Sequence, residues 1–156
     1  VALEPAIAPH LAAAQAGIVL RAAELADDVR AQAASGAEAL LVEGAGGWLV
    51  PLNETETMAD LAVALGYPVI LVVGMRLGCI NHALLTAAAI TAAGLQLAGW
   101  VANGVTPEME ALAENVRALE QRLPALRLGT VPFLVGGCTP ERLNTWLDVT
   151  SLFGAR

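Results

Sequence analysis

Four short segments carry the residue types that do chemistry. In Val42-Glu43-Gly44-Ala45-Gly46-Gly47 a carboxylate directly follows an apolar run. A carboxylate there is a hard oxygen ligand of the kind Mg2+ takes beside substrate phosphates, and glycines let backbone N–H groups approach an anion. The same residues also suit a glycine-rich turn with a solvated glutamate. No Gly-Lys-Ser/Thr follows, so this is not a Walker A loop. In Gly74-Met75-Arg76-Leu77-Gly78-Cys79-Ile80-Asn81-His82, two glycines and an asparagine open a helix, where backbone dipoles favour an anion. Arg76 adds a positive charge, and an N-capped helix after a flexible turn is the plainer alternative. His82 has no second His or Cys at metal spacing and reads as packing or surface. In Trp100-Val101-Ala102-Asn103-Gly104-Val105, an amide beyond a strand can match the paired donor and acceptor of an adenine edge. Asn-Gly is equally a good turn, and for that segment alone the turn is the better reading. Last, Gly129-Thr130-Val131-Pro132-Phe133-Leu134 ends a strand with an apolar tip that either flanks a base or caps the core.

These segments need elements to hold them. After a proline-containing opening (Pro5, Pro9), Ile18–Ala34 has the apolar spacing of an amphipathic helix stopped by Gly36. Ala39-Leu40-Leu41-Val42 is a short apolar run expected to be a strand. Thr57–Leu65 is expected to be a helix with Thr57 as N-cap and Asp60 as the capping-box acid. Val69–Val73 is the clearest strand, launched by Pro68 and ended by Gly74. A helix over Asn81–Ala93, a strand over Leu95–Val101, a helix over Glu108–Leu123, a strand over Arg127–Val131 and a closing helix over Pro140–Leu152 complete the order. Strands apolar on both sides, alternating with helices, predict one α/β domain over residues 1–156. The architecture is a three-layer parallel sheet with helices on both faces. In such sheets ligands gather at the carboxyl ends of the strands, and all four segments end at that rim.

The 156 residues are 56% hydrophobic and 15% charged, which excludes disorder. Aromatic residues make up 4%, so the core must be aliphatic and closely packed. The net charge is −7, and all eight basic residues are arginine. Those arginines are scattered, so the clustered basic face of a nucleic-acid binder is absent and no nucleic-acid partner is expected. Cys79 and Cys138 form neither a disulfide framework nor a metal spacing, which points to a reducing cytoplasm. Leu77–Pro107 carries no charge, but Gly94 interrupts it and a strand-like stretch follows. It therefore reads as buried α/β elements rather than a membrane span.

Val42–Gly47 with Trp48 and Pro51, Pro68–His82, Leu97–Pro107 and Gly129–Leu134 together resemble dethiobiotin synthetase, the ATP-dependent ligase of biotin biosynthesis. Glu4–His10 resembles the family's proline loop, so the likeness runs the length of the chain. The resemblance implies a P-loop NTPase-like fold, with the P-loop, an Mg2+-binding aspartate and the catalytic lysine lying before Val1. No catalytic residue is then expected within this chain. It implies that Glu43 binds Mg2+ and nucleotide, and that Gly44, Ala45 and Gly46 line the triphosphate and the nascent carbamate. Asn103 and Gly104 would read adenine, with Pro132, Phe133 and Leu134 along the base. Gly78, Cys79, Ile80 and Asn81 would take the carboxylate of 7,8-diaminopelargonate across a homodimer interface. The implied reaction joins CO2 to the diamine with ATP, closing the dethiobiotin ring as a carbon-nitrogen cyclo-ligase. Arg76 stands where a lysine is often seen, and Gly104 where an acidic residue can occur. The family's nucleotide-contacting glutamate has no clear match, with Thr139 and Glu141 nearby. Alone, the chain is expected to be inactive and to associate. A cobyrinate-type amide synthase and a non-catalytic binding module are the rival readings.

Overall fold

The computed structural model describes residues 2–153 apart from 5, 34, 35, 37, 137 and 138. Val1, Pro5, Ala34 and Cys138, used above, lie outside the described residues. Contacts divide the chain into two compact units, Val1–Tyr67 and Pro68–Arg156.

In the first unit, helix α1 spans Pro9–Gln15, where the sequence suggested only a proline-containing opening. Pro9 sits in its first turn, where a missing N–H costs nothing. Gly17 takes φ +69° and closes the helix, with Ile18 N–H donating to Ala13 O at 3.0 Å. That closure delays α2 to Ala22–Ala33, so the helix expected from Ile18 begins a turn later. Leu20 is buried while Val19 is exposed. Helix α3 covers Met58–Leu65 with Thr57 as N-cap, as expected. Thr57 donates its backbone N–H (2.7 Å) and its hydroxyl (2.8 Å) to the Asp60 carboxylate. Ala13, Leu20, Ala22, Ala26, Leu52 and Leu61 form the core, with Leu3, Leu25, Met58, Ala64 and Leu65 packed around it. Alanine and leucine make up nearly all of it and, among the described residues, no aromatic takes part, as the scarcity of aromatics requires.

The expected strand at Ala39–Val42 is not formed. Leu41 is 82% exposed, and no ladder includes these residues among those described. A strand exists only with a partner for its backbone N–H and C=O groups, and a four-residue apolar run carries no information about one.

In the second unit, strands β1 (Val69–Met75), β2 (Leu97–Gly104) and β3 (Arg127–Val131) form a parallel sheet in the order β1-β2-β3. The class is α/β, with three paired strands among the described residues where four were expected. Helix α4 (Cys79–Ala92) joins β1 to β2, and α5 (Leu112–Glu120) joins β2 to β3. The uncharged Leu77–Pro107 stretch resolves into the 14 residues of α4 and the 8 of β2. Among the described residues no helix is long and apolar enough to cross a membrane. Trp100, Met75, Ile90 and Leu119 are fully buried at the centre of this unit.

Strand β2 runs over Leu97–Gly104 rather than Leu95–Val101, β1 runs to Met75 rather than Val73, and helix bounds differ as well. Helix α4 starts at Cys79 because Gly78, at φ 92°, is its N-cap. Asn81 is therefore an exposed residue inside the first turn rather than the cap. Helix α5 starts at Leu112 rather than Glu108, behind Ala111 at φ 54°. The closing helix is only Pro140–Leu143 (α6), followed by an antiparallel bridge between Leu147 and Gly129 and a 3-10 turn at Thr150–Leu152.

The α3 cap gives a pH-dependent contribution to stability. The Thr57 backbone N–H, then its hydroxyl, hold the Asp60 carboxyl below its ordinary value of 3.8. The unfolded chain then binds the proton more readily than the folded one, so stability rises with pH through this window. The contribution is present above pH 3.8 and lost as pH falls through the lowered folded value. Thermal unfolding of Asp60→Asn should therefore show a shallower loss of Tm below pH 4 than the parent. Superimposable acid limbs would show that the cap contributes nothing.

Candidate functional site

Parallel strands bring their carboxyl ends to one edge, and two clefts open on that edge of the second unit. The first, of about 420 Å3, is lined by Asn103, Gly104, Val105, Val131, Pro132, Phe133, Leu134 and Leu143. The ladders explain the grouping. Asn103 lies opposite Val131 across β2 and β3, so the amide and the Pro132–Leu134 tip emerge side by side. Asn103 and Gly104 are the last two residues of β2, not the turn that Asn-Gly suggested. Gly104 is there by necessity, because a Cβ would lie 2.7 Å from Phe133 N and 3.0 Å from Pro132 C. All five residues singled out from the sequence for this place line the one cleft. Leu143 was missed, since it comes from the C-terminal segment and no short-range pattern links it to β2.

The second cleft, of about 360 Å3, opens at the end of β1. Gly74, Arg76, Cys79, His82, Ala83, Thr86 and Val105 line it together with Leu71–Val73. Of the four helix-start residues expected to act together, Cys79 alone is part of this wall. Its thiol is buried. Gly78 and Asn81 are exposed and Ile80 is half-buried. Arg76, His82 and Thr86 instead supply polar side chains to the cleft, so His82, read as packing or surface, faces the same space as Arg76. Spacing could have shown this, because Cys79 and His82 are three apart on a helix and share a face.

In the first unit, Glu43, Gly44, Ala45 and Gly46 form an exposed loop. Gly46 takes φ +88°, and a Cβ there would lie 2.7 Å from Val50 Cγ2, so the turn requires glycine. Beyond it, Asn53 Nδ2 donates to Leu20 O at 2.7 Å and to Glu56 Oε2 at 2.6 Å. Those bonds fix the segment that follows the loop. Among the described residues no group of three His, Cys, Asp or Glu side chains could hold a metal ion. One exposed carboxylate suits Mg2+ when the ion keeps waters and phosphate oxygens as its other ligands.

Near the first cleft, the Glu141 carboxyl is held below the usual carboxylate range. Its own backbone N–H is the larger cause and the Thr139 hydroxyl the next. The two residues nearest to the expected nucleotide-contacting glutamate therefore engage each other. Arg142 lies 5.8 Å over the Trp146 ring.

The AAA domain family matches residues 1–137 of the chain. The ATP-dependent dethiobiotin synthetase BioD of Pseudomonas paraeruginosa (strain DSM 24068 / PA7) is 61% identical over 151 residues, 97% of this chain and 66% of the relative. The BioD of Pseudomonas aeruginosa (strain UCBPP-PA14) is 56% identical over the same shares. That of Cellvibrio japonicus (strain Ueda107) is 54% identical over 99% of this chain and 67% of its own length. The chain thus spans about two thirds of the length of these relatives.

Proposed function

The chain belongs to the dethiobiotin synthetase family, and we propose that it supplies the base-binding and diamine-binding parts of an ATP-dependent synthetase. Both units then belong to one catalytic α/β domain. The observation that carries the reading is the cleft at the ends of β2 and β3. An amide, a bare glycine and an apolar tip meet there at the rim where parallel sheets bind ligands. Asn103 would offer its amide oxygen and nitrogen to the adenine edge, while Pro132, Phe133 and Leu134 lie along the base. In the second cleft Arg76 and the start of α4 would receive the carboxylate of 7,8-diaminopelargonate. A second copy of the protein would bring in that substrate, as the family resemblance implies for a cytoplasmic homodimer.

The reaction proposed begins with attack of one amine on CO2, giving a carbamate and releasing a proton. The carbamate oxygen takes the γ-phosphoryl group of ATP, leaving ADP. The second amine attacks the carbamoyl carbon, phosphate leaves with the amine's proton released, and the ureido ring of dethiobiotin closes. Glu43 would hold Mg2+, which neutralises phosphate charge when bound. The Gly44–Gly46 turn would keep backbone N–H groups near the phosphates and the carbamate. Identity to dethiobiotin synthetases above one half supports this reaction over a cobyrinate-type amidation or a non-catalytic module.

The test is Asn103→Leu in the full-length protein. Losing the amide should raise the KM for ATP about tenfold, the scale of one buried polar recognition. The KM for the diamine should stay within about twofold, on the same scale. A raised diamine KM with an unchanged ATP KM would assign the cleft to the other substrate.

A further inference from the structure

We propose that Gly129, which lines neither cleft, is a positioning residue for the nucleotide base, because its missing side chain seats the segment that brings Leu143 to the cleft wall. This rests on the reading of that cleft as the ATP base site.

Residues 139–148 lie across β3 as a strap. Leu147 bridges Gly129 in antiparallel fashion, and Asp148 N–H donates to Leu128 O at 2.7 Å. Leu143, Trp146 and Leu147 pack on the buried cluster of Val101, Leu128 and Val131. The approach at Gly129 is closer than any other residue would allow. A Cβ there would sit 1.9 Å from Trp146 O and 2.9 Å from Leu147 Cδ2. The first of these is a backbone atom meeting a backbone-fixed carbon, so no rotamer change relieves it. The strap must lift by about an ångström to restore ordinary contact.

Lifting the strap moves Leu143 with it. Leu143 O accepts from Trp146 N–H at 2.9 Å and from Leu147 N–H at 3.1 Å, so the turn from α6 to the bridge is one hydrogen-bonded piece. Leu143 is also the only strap residue on the wall of the base cleft among the described residues. A methyl group added at Gly129 therefore reaches the base through backbone, without touching it. Displacing a binding wall by an ångström is enough to change affinity by an order of magnitude or more.

The experiment uses the full-length protein with Gly129→Ala, Leu143→Ala and the double variant, reading ATP affinity at equilibrium, both KM values and kcat. Gly129→Ala should weaken ATP binding and raise its KM roughly tenfold. The diamine KM and kcat at saturating ATP should stay within about twofold, which general destabilisation would not produce. The double variant should be no worse than the weaker single one, because both act on the same wall. Multiplying effects in the double variant, or an unchanged ATP affinity in Gly129→Ala, would overturn the inference. Should Gly129→Ala fail to fold, Asp148→Pro removes the N–H that ties the strap to Leu128. It should give the same ATP-specific loss, and parental ATP affinity in that variant would overturn the inference. A parent protein that does not bind ATP overturns the proposed function and this inference together. Parental binding with an unaffected Gly129→Ala overturns the inference alone.

Discussion

Glu43→Gln in the full-length protein is expected to lower turnover about 100-fold, equivalent to about 2.7 kcal/mol of transition-state stabilisation. The substitution keeps the shape of the side chain and removes one hard anionic oxygen. Glu43 lies in an exposed loop whose turn is set by Gly46 and Val50, so the fold and the thermal midpoint should not change. The loss should be only partly recovered by raising Mg2+, because the ligand is weakened and not merely undersaturated. Turnover within about threefold of the parent at saturating Mg2+, less than 1 kcal/mol, would remove Glu43 from the site. The measurement is a steady-state titration of both MgATP and free Mg2+ with the purified variant.

The second large effect concerns the isolated chain. Residues 1–156 expressed alone should self-associate rather than persist as a stable monomer. Strand β1 pairs with β2 on one side and has no other strand partner among the described residues. Its Val72 is 61% exposed. Leu41 in the unpaired apolar run is 82% exposed and Leu77 beyond β1 is 99% exposed. An open, apolar strand edge is a template for pairing with another chain. The net charge of −7 opposes association without covering that edge. Size-exclusion chromatography with light scattering should find oligomers or loss to aggregate. A soluble monomer that unfolds cooperatively would show that the sheet needs nothing further at β1.

What was legible in the sequence follows from how local the signal is. Strand β3 was found at its observed bounds because Pro132 ends it, and α3 because its cap lies within four residues. Strand β1 overran its expected end at Val73 by two residues, since its ladder with β2 continues through Met75 opposite Gly104. The same continuity turned Asn103 and Gly104 from a turn into strand. Asn103, Gly104, Pro132, Phe133 and Leu134 were legible as one group because they sit at strand ends or just beyond. Leu143 and Gly129 were not. Their relation depends on a bridge between residues 18 positions apart, and a helix-like pattern over Pro140–Leu152 concealed it. Ala39–Val42 failed for the opposite reason, since its composition suits a strand and only a partner decides the matter.

The register of the sheet also constrains how fast it can assemble. Val69 pairs with Leu97 and Val101 with Gly129, and the ladders join residues 27 to 29 positions apart. Closing a loop of that length costs about 3 kcal/mol of chain entropy beyond the fixed constant, before the first inter-strand bond forms. No hairpin is available to lower that barrier, as one would be in an antiparallel sheet of the same size. The rate-limiting ensemble should therefore contain α4 or α5 already docked on its flanking strands, with the shortened loop making closure affordable. Substitutions at Ile90 and Leu119, the largest fully buried side chains of those two helices, would then slow folding more than they speed unfolding. Substitutions at the strap, which lies outside both helices, would act on the unfolding rate.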